Sequence, residues 1–395
     1  MGEYAALASV AQALTIEDLM DITFYRGLTM QTAVPRDHLG RSDFAMLAVN
    51  PLRVHRTFSQ EALEFVVSSI AKHTGKLLEI VNYNVERLQY VTAGNLIALD
   101  CLQKVLDVLH AKKVDFQTLM QTQSLTQIET MLSQLVQDQL SLSISKVTQS
   151  DSTFLVLDRG RATIPLPGID VPFHSSFLIP GITAFREILQ KRIFSDRVDV
   201  SRLSGLYIPN LVAVPFEVSE SFTRLVYKKT SSDVLGRLLD SNDFLSQSPQ
   251  EMAKILLIEL LAYQFASPVQ WIQTQDQILS NFKTERIIEV GPNPILGGMI
   301  KRTLQVKYQD LDDAISQQRI VLCSAKDAKE IYYAFEDEVD EGLSAPDLDE
   351  KSTEKTGNTA PAFSTANPAV AASIRYALTE YSCITVMNPL RRAIS

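Results

Sequence analysis

Apolar residues return at Leu19, Met20, Ile22, Phe24 and Leu28 between Glu17 and Met30, the spacing of a helix with one buried stripe. Pro35 closes that helix, because proline lacks the N–H to continue it. A shorter helix is predicted ahead of it in Gly2-Glu3-Tyr4-Ala5-Ala6-Leu7-Ala8-Ser9, where glycine permits a tight entry and the acidic residue suits a first turn. After Arg41 the period changes. Asp43–Asn50 is a short apolar run read as a strand, and Phe58, Ala62, Phe65, Val66 and Ile70 then follow helical spacing. Leu77–Tyr83 and Gln89–Ala93 read as strands, and Leu96–His110 as a helix. Strand–helix–strand–strand–helix is a ferredoxin-like unit short of one strand, which Arg161–Pro167 supplies. The intervening Gln-rich run, Gln117 to Ser143, carries Leu119, Met120, Leu125, Ile128, Met131, Leu132 and Leu135. It is read as solvent-covering helices.

Beyond Gly168 the elements are larger. A turn at Gly168–Phe177 leads to a helix over Thr183–Ile193. Tyr207–Val214 reads as a buried strand entered through Pro209. Pro249–Ala266 is a strongly apolar helix, Arg286–Val290 a strand, and Ile295–Leu304 a helix. The turn between the last two, Gly291-Pro292-Asn293-Pro294, is not a phosphate loop: the glycine spacing is wrong and the prolines remove donors. After Tyr333 the chain turns acidic, then Ser/Thr/Ala/Pro-rich to Ala369, the composition of a solvated linker. Ile374–Leu390 regains some apolar character.

Composition narrows the class. A chain of 395 residues, 46% hydrophobic, has room for two or three domains with sizeable cores. A net charge of −9 argues against nucleic acid or an anionic membrane surface as partner. Cys101, Cys323 and Cys383 have neither disulfide nor zinc spacing and are read as reduced, buried thiols. No apolar run reaches the ~20 residues of a membrane span, Ala6 spoils a myristoylation signal, and no secretory segment is evident. A soluble, cytoplasmic chain is expected.

Two residues stand out chemically. Arg26 sits in a mostly apolar helix face; it either snorkels or pairs with Asp21 or Glu3, or its planar fork receives a substrate carboxylate. His174 lies between Pro172 and Ser175-Ser176 at an element boundary, either as a structural turn residue or as a general base.

Several segments together resemble the malonyl-CoA:acyl-carrier-protein transacylases. Gly2-Glu3-Tyr4-Ala5-Ala6-Leu7 resembles the helix leaving their nucleophile elbow, and Tyr25-Arg26-Gly27 with Met30-Gln31 the segment of their carboxylate-binding arginine. Val171-Pro172-Phe173-His174-Ser175 is similar to the turn of their catalytic histidine. Tyr263-Gln264 with Ser267–Trp271, and Ile288–Pro292, are similar to two later segments, all in the family's order. Asn82-Tyr83-Asn84, the Gln-rich insert and Leu322–Tyr333 are similar to the malonyl/palmitoyl transferase of fungal type I fatty acid synthase. The resemblance implies an α/β acyltransferase fold. A parallel-sheet core like that of the α/β hydrolases, incomplete at the N-terminus, would occupy 1–40 and 168–310. An inserted ferredoxin-like subdomain would occupy 41–167 with a helical insert at about 111–150, followed by an extension at 311–345 and a disordered linker or tail at 346–395.

The resemblance also implies roles. His174 would be the general base, Arg26 the malonate clamp and Gln264 a site amide, with a carbonyl of the Gly291–Asn293 turn orienting the imidazole. The substrates would be malonyl-CoA and long-chain acyl-CoA, the acceptor a phosphopantetheine on an acyl carrier protein, and the partners that carrier and the other synthase domains. No metal or tightly bound cofactor is implied. The family's serine would precede Gly2, outside these residues. The chain is therefore expected to be an N-terminally truncated piece, inactive alone and left with an exposed sheet edge. A polyketide-type acyltransferase and a non-catalytic assembly fragment are the competing readings.

Overall fold

The computed structural model describes residues 2–149, 155–241, 246–331 and 383–387; of the linker or tail expected at 346–395, all but 383–387 lies outside them. Helix α1 (Gly2–Ser9) is followed by α2 (Ile16–Thr32). Thr15 starts α2 with a capping box, its hydroxyl accepting from the Asp18 N–H while the Asp18 carboxylate accepts from the Thr15 N–H.

The next unit runs β1 (Phe44–Val49), α3 (Gln60–Thr74), β2 (Leu78–Val85), β3 (Gln89–Asn95), α4 (Leu96–Ala111), α5 (Phe116–Thr122), α6 (Leu125–Gln149) and β4 (Thr163–Pro165). Its sheet has the order β2–β3–β1–β4, antiparallel throughout. That is the ferredoxin-like arrangement. Successive side chains of a strand leave by opposite faces, and here the two faces serve different cores. Leu47, Val49 and Tyr90 pack under α3 and α4 with Leu63, Val66, Ile70, Leu102 and Val105. Met46, Val91 and Ala93 face the other way, into the core that holds Tyr4, Ile22 and Phe265. The outer edge of β2 is tied down as well: Tyr83 N–H donates to Val269 O at 3.0 Å, and Val269 N–H to Val81 O at 2.8 Å.

The Gln-rich insert does more than cover the surface. On α6, Ile128, Leu132 and Val136 are fully buried against the α3–α4 core, while Gln127, Gln134 and Gln137 are exposed. Leu132→Ala removes a buried side chain whose loss costs about 2–5 kcal/mol; denaturant titration should show a midpoint shift of that size with the slope unchanged. A change within experimental error would make α6 a passive cover.

The remaining elements are α7 (Ile182–Arg192), α8 (Glu220–Thr230), α9 (Asp233–Asp240), α10 (Pro249–Gln264), α11 (Trp271–Asp276), β5 (Arg286–Val290), α12 (Ile295–Thr303), α13 (Gln309–Ala314), β6 (Ile320–Cys323), α14 (Ala328–Ile331) and β7 (Cys383–Met387). β5 pairs in parallel with β6 and antiparallel with β7. The stretch read as an extension thus contributes β6 to the sheet. Residues 383–387, read as part of a disordered tail, form a strand of that sheet.

Tyr207–Val214 is not a strand. Pro209 cannot donate to a ladder, Ala213 takes a left-handed φ of 53°, and Phe216 N–H turns back to Tyr207 O at 2.7 Å. This irregular loop instead turns its Asn210 N–H toward Glu3. Among the described residues no helix is long and apolar enough to cross a membrane.

Candidate active site

The C-terminal turn of α10 is where the candidate residues meet. Backbone carbonyls at a helix end have no partner within the helix, and two neighbouring ones here are taken by one histidine. His174 N–H donates to Phe265 O at 2.8 Å, and its Nδ1 lies 2.8 Å from Gln264 O. A carbonyl only accepts, so Nδ1 carries the proton and the lone pair of the neutral ring is on Nε2. His174 is buried and holds a left-handed φ of 62°, a conformation costing a non-glycine residue about 1 kcal/mol or more. The Val171–Pro172–Phe173 turn and the two helix-end bonds sustain it.

The same helix turn receives α1. The Tyr4 hydroxyl donates to Leu261 O at 3.0 Å, and the Gln264 side-chain amide donates to a Glu3 carboxylate oxygen. The other Glu3 oxygen accepts the Asn210 N–H at 2.5 Å. Burial pushes the Glu3 carboxyl above its ordinary value, against the pull of the Asn210 N–H and Arg26. Arg26 comes from α2, with 2% of its surface exposed. Its guanidinium carbon lies 5.7 Å from the centre of the Tyr4 ring, within cation–π range.

His174, Arg26 and Gln264 are therefore brought into one cluster by α10, α2 and the turn after β4, and α1 joins them. Two points differ from expectation. The Gln264 side chain engages Glu3, and it is the main-chain carbonyl of Gln264 that orients the imidazole, not one from Gly291–Asn293. That turn is engaged elsewhere: Gly291 O accepts from Cys323 Sγ at 3.8 Å, and Gly291 N–H donates to Ser324 Oγ at 3.2 Å. Glu289, in β5 just ahead of that turn, also accounts for Gly297. Glu289 accepts from the N–H groups of Ile295, Leu296 and Gly297 at 3.1, 3.0 and 2.7 Å, filling the anion site at the start of α12. A Cβ at position 297 would stand 3.0 Å from that carboxylate.

Tyr4 and Asn210 are site residues the pattern did not single out, and Glu3 entered only as a possible partner of Arg26. Glu3 reads locally as a charge complementing a helix start, and only the tertiary fold shows it buried. Two buried polar atoms beside it have no hydrogen-bond partner among the described residues, Gln264 Oε1 and the Tyr207 hydroxyl. Burial, with Glu3 and Tyr4 adding to it, raises that hydroxyl well above its ordinary value, so Tyr207 stays a neutral donor. Unsatisfied buried groups of this kind are few in native proteins and mark places where a further group is received. The serines flanking His174 are engaged: Ser175 Oγ donates to Pro172 O at 2.6 Å, and Ser176 is held by Glu79. Among the described residues no group of His, Cys, Asp and Glu is arranged to hold a metal.

Residues 1–234 match the family described as acyl transferase domain. The chain belongs to that family. Fatty acid synthase 2 of Mycosarcoma maydis is 42% identical over 340 residues, which is 86% of this chain and 9% of the relative. Fatty acid synthase subunit beta of Saccharomyces cerevisiae is 47% identical over 248 residues, 63% of this chain and 12% of the relative. The chain thus spans about a tenth of the length of these relatives. Among solved structures, FabD from Acinetobacter baumannii is 20% identical, with 80% of this chain and 69% of that one covered and a TM-score of 0.44. The mixed helix-and-sheet fold and the acyltransferase family expected from the sequence both hold.

Proposed function

We infer that this chain carries the base and the carboxylate clamp of a fatty acid synthase acyltransferase. It moves malonyl and long-chain acyl groups from CoA to the phosphopantetheine of an acyl carrier protein. The observation carrying this reading is that α1, the elbow helix, is hydrogen-bonded through Glu3 and Tyr4 to the very turn of α10 that orients His174. That linkage fixes a nucleophile ahead of α1 relative to the base.

His174 Nε2 takes the proton of a serine hydroxyl, and the serine oxygen attacks the thioester carbonyl. The oxyanion is held by backbone N–H groups, one of them following the serine. CoA leaves as the thiol after receiving the proton from Nε2. The pantetheine thiol then gives its proton to Nε2 and attacks the acyl-serine, and the serine leaves reprotonated. The partial negative charge of the α10 C-terminus favours the imidazolium formed in each half-reaction. Arg26 binds the free malonyl carboxylate through its fork, and Gln264 braces Glu3. No cofactor is required. The setting is the cytoplasm, with the carrier protein and the other synthase domains as partners.

Malonyl-CoA labelled in its acyl group tests this in the intact synthase. The label is expected as an ester on the serine that the resemblance places just ahead of Met1, and carrier protein should remove it. A labelled residue elsewhere would overturn the assignment.

A further inference from the structure

A buried ion pair joins the two segments that meet at His174. Glu259 lies on α10, roughly 7.5 Å along the helix axis ahead of Gln264, with 1% of its side chain exposed. Arg186 lies on α7, the helix that the His174 turn leads into. Its guanidinium grips the carboxylate with two bonds, Nε to one oxygen at 2.6 Å and a terminal nitrogen to the other at 2.9 Å. The second oxygen also accepts from Ser232 Oγ at 2.6 Å, a fully buried hydroxyl at the start of α9. The Tyr263 ring centre lies 5.7 Å from the guanidinium carbon.

That pair has no task in the mechanism above, and its burial is weak evidence for stability. Removing two charges from water offsets most of their attraction, so apolar replacements are often neutral or better. A forked contact supplies geometry instead, because two parallel bonds fix both distance and angle. The neighbouring residues show where that geometry is used. Phe185, beside Arg186, packs edge-on against Phe265 with ring centres 5.5 Å apart. Phe265 O accepts the His174 N–H, and Gln264 O lies 2.8 Å from Nδ1. α7 therefore follows the base in the chain and grips the helix end that orients it.

We propose that Arg186 and Glu259 are positioning residues for His174, holding α7 on α10 in the register that keeps both helix-end carbonyls on the histidine. The inference rests on the base role of His174. A slip of about 1 Å between the helices takes Nδ1 out of hydrogen-bond reach of Gln264 O. The ring is then free to turn, or to put its proton on Nε2, which then cannot accept one from a serine. Misplacement of that size costs up to about 10²-fold in rate. The protonated ring also loses its acceptor, so activity rises at a lower pH than in the wild type. Asp233 on α9 and Tyr263 on α10 also face this pair, and Glu3 faces Gln264 from α1. All three stay in place in the variants below.

The test uses the intact synthase carrying Arg186→Met and Glu259→Leu together, which fills the space and leaves no charge unpaired. Ser232 retains its capping bond from the Leu235 N–H. Transfer should withstand heating for as long as in the wild type. For malonyl and for an uncharged acyl group alike, kcat should fall about tenfold or more with KM kept. The ascending limb of kcat against pH should move toward acid. Arg186→Lys keeps the charge without the fork and should lose rate with the same shift; it carries the test alone if the double variant does not fold. Wild-type kcat in either variant would overturn the proposal. So would a lower kcat on an unmoved pH profile, which reports only less folded enzyme. Both results leave the base reading standing, whereas full transfer in His174→Asn would remove that reading and the proposal together.

Discussion

His174→Ala in the intact synthase is expected to lower acyl transfer about 10³-fold, within the 10²–10⁴ that a positioned general base contributes. The loss should be equal for malonyl and uncharged acyl groups, since both pass through the same serine and the same Nε2. The argument stands on two bonds. Nδ1–H to Gln264 O fixes which nitrogen holds the lone pair, and N–H to Phe265 O holds the residue in its left-handed conformation. A merely structural histidine at this turn would show itself differently, so His174→Asn serves as the partner variant. Asparagine tolerates a positive φ far better than alanine but cannot act as a base. Both variants should lose transfer to the same extent, while asparagine stays nearer the wild-type Tm than alanine does. Transfer within tenfold of wild type in His174→Asn would remove His174 from the base role.

The hydrophobic pattern carried most of the architecture. The ferredoxin-like unit was legible because α3 and α4 keep a helical period and its strands are short apolar runs between them, and the fourth strand could be found by what the topology lacked. Tyr207–Val214 misled because a short apolar run does not distinguish a strand from a packed loop. There, Pro209 and the positive φ of Ala213 decide the matter. The Gln-rich helix α6 was legible as a helix but not as core, since its three buried positions lie among polar neighbours and depend on what α3 and α4 present to them. At the site, Arg26, His174 and Gln264 could be named from the motif resemblance, yet not how they connect. The orienting carbonyl is main chain, and no residue type at position 264 announces it. Glu3 was named only as a possible partner of Arg26, and its burial was hidden for a related reason: a glutamate in a first helical turn is ordinarily a solvated charge, and here α10 and the Asn210 loop close over it.

Arg26→Ala should separate the two substrate classes. Truncating one member of a buried, hydrogen-bonded charge pair costs about 2–5 kcal/mol, so kcat/KM for malonyl-CoA is expected to fall about 10²-fold or more. An uncharged acyl group makes no ion pair with the guanidinium, and its transfer should change by less than about fivefold on that account. Lysine should not restore malonyl transfer, because a point charge cannot reproduce the planar two-pronged contact. The fold must be checked in parallel. Arg26 lies over the Tyr4 ring and its charge acts on Glu3, so its removal leaves a buried carboxyl that is driven to the protonated form. A stability loss that grows with pH is therefore expected, beyond the packing lost with the buried side chain: burial already raises the Glu3 carboxyl in the folded state, and without Arg26 it rises further. A group with a raised folded-state value favours folding below its unfolded value, and that contribution is lost as pH climbs through the folded one. Thermal melts of Arg26→Ala should thus fall below wild type by a margin that widens as pH rises. Equal losses of malonyl and uncharged acyl transfer would show that Arg26 supports the fold and not the carboxylate.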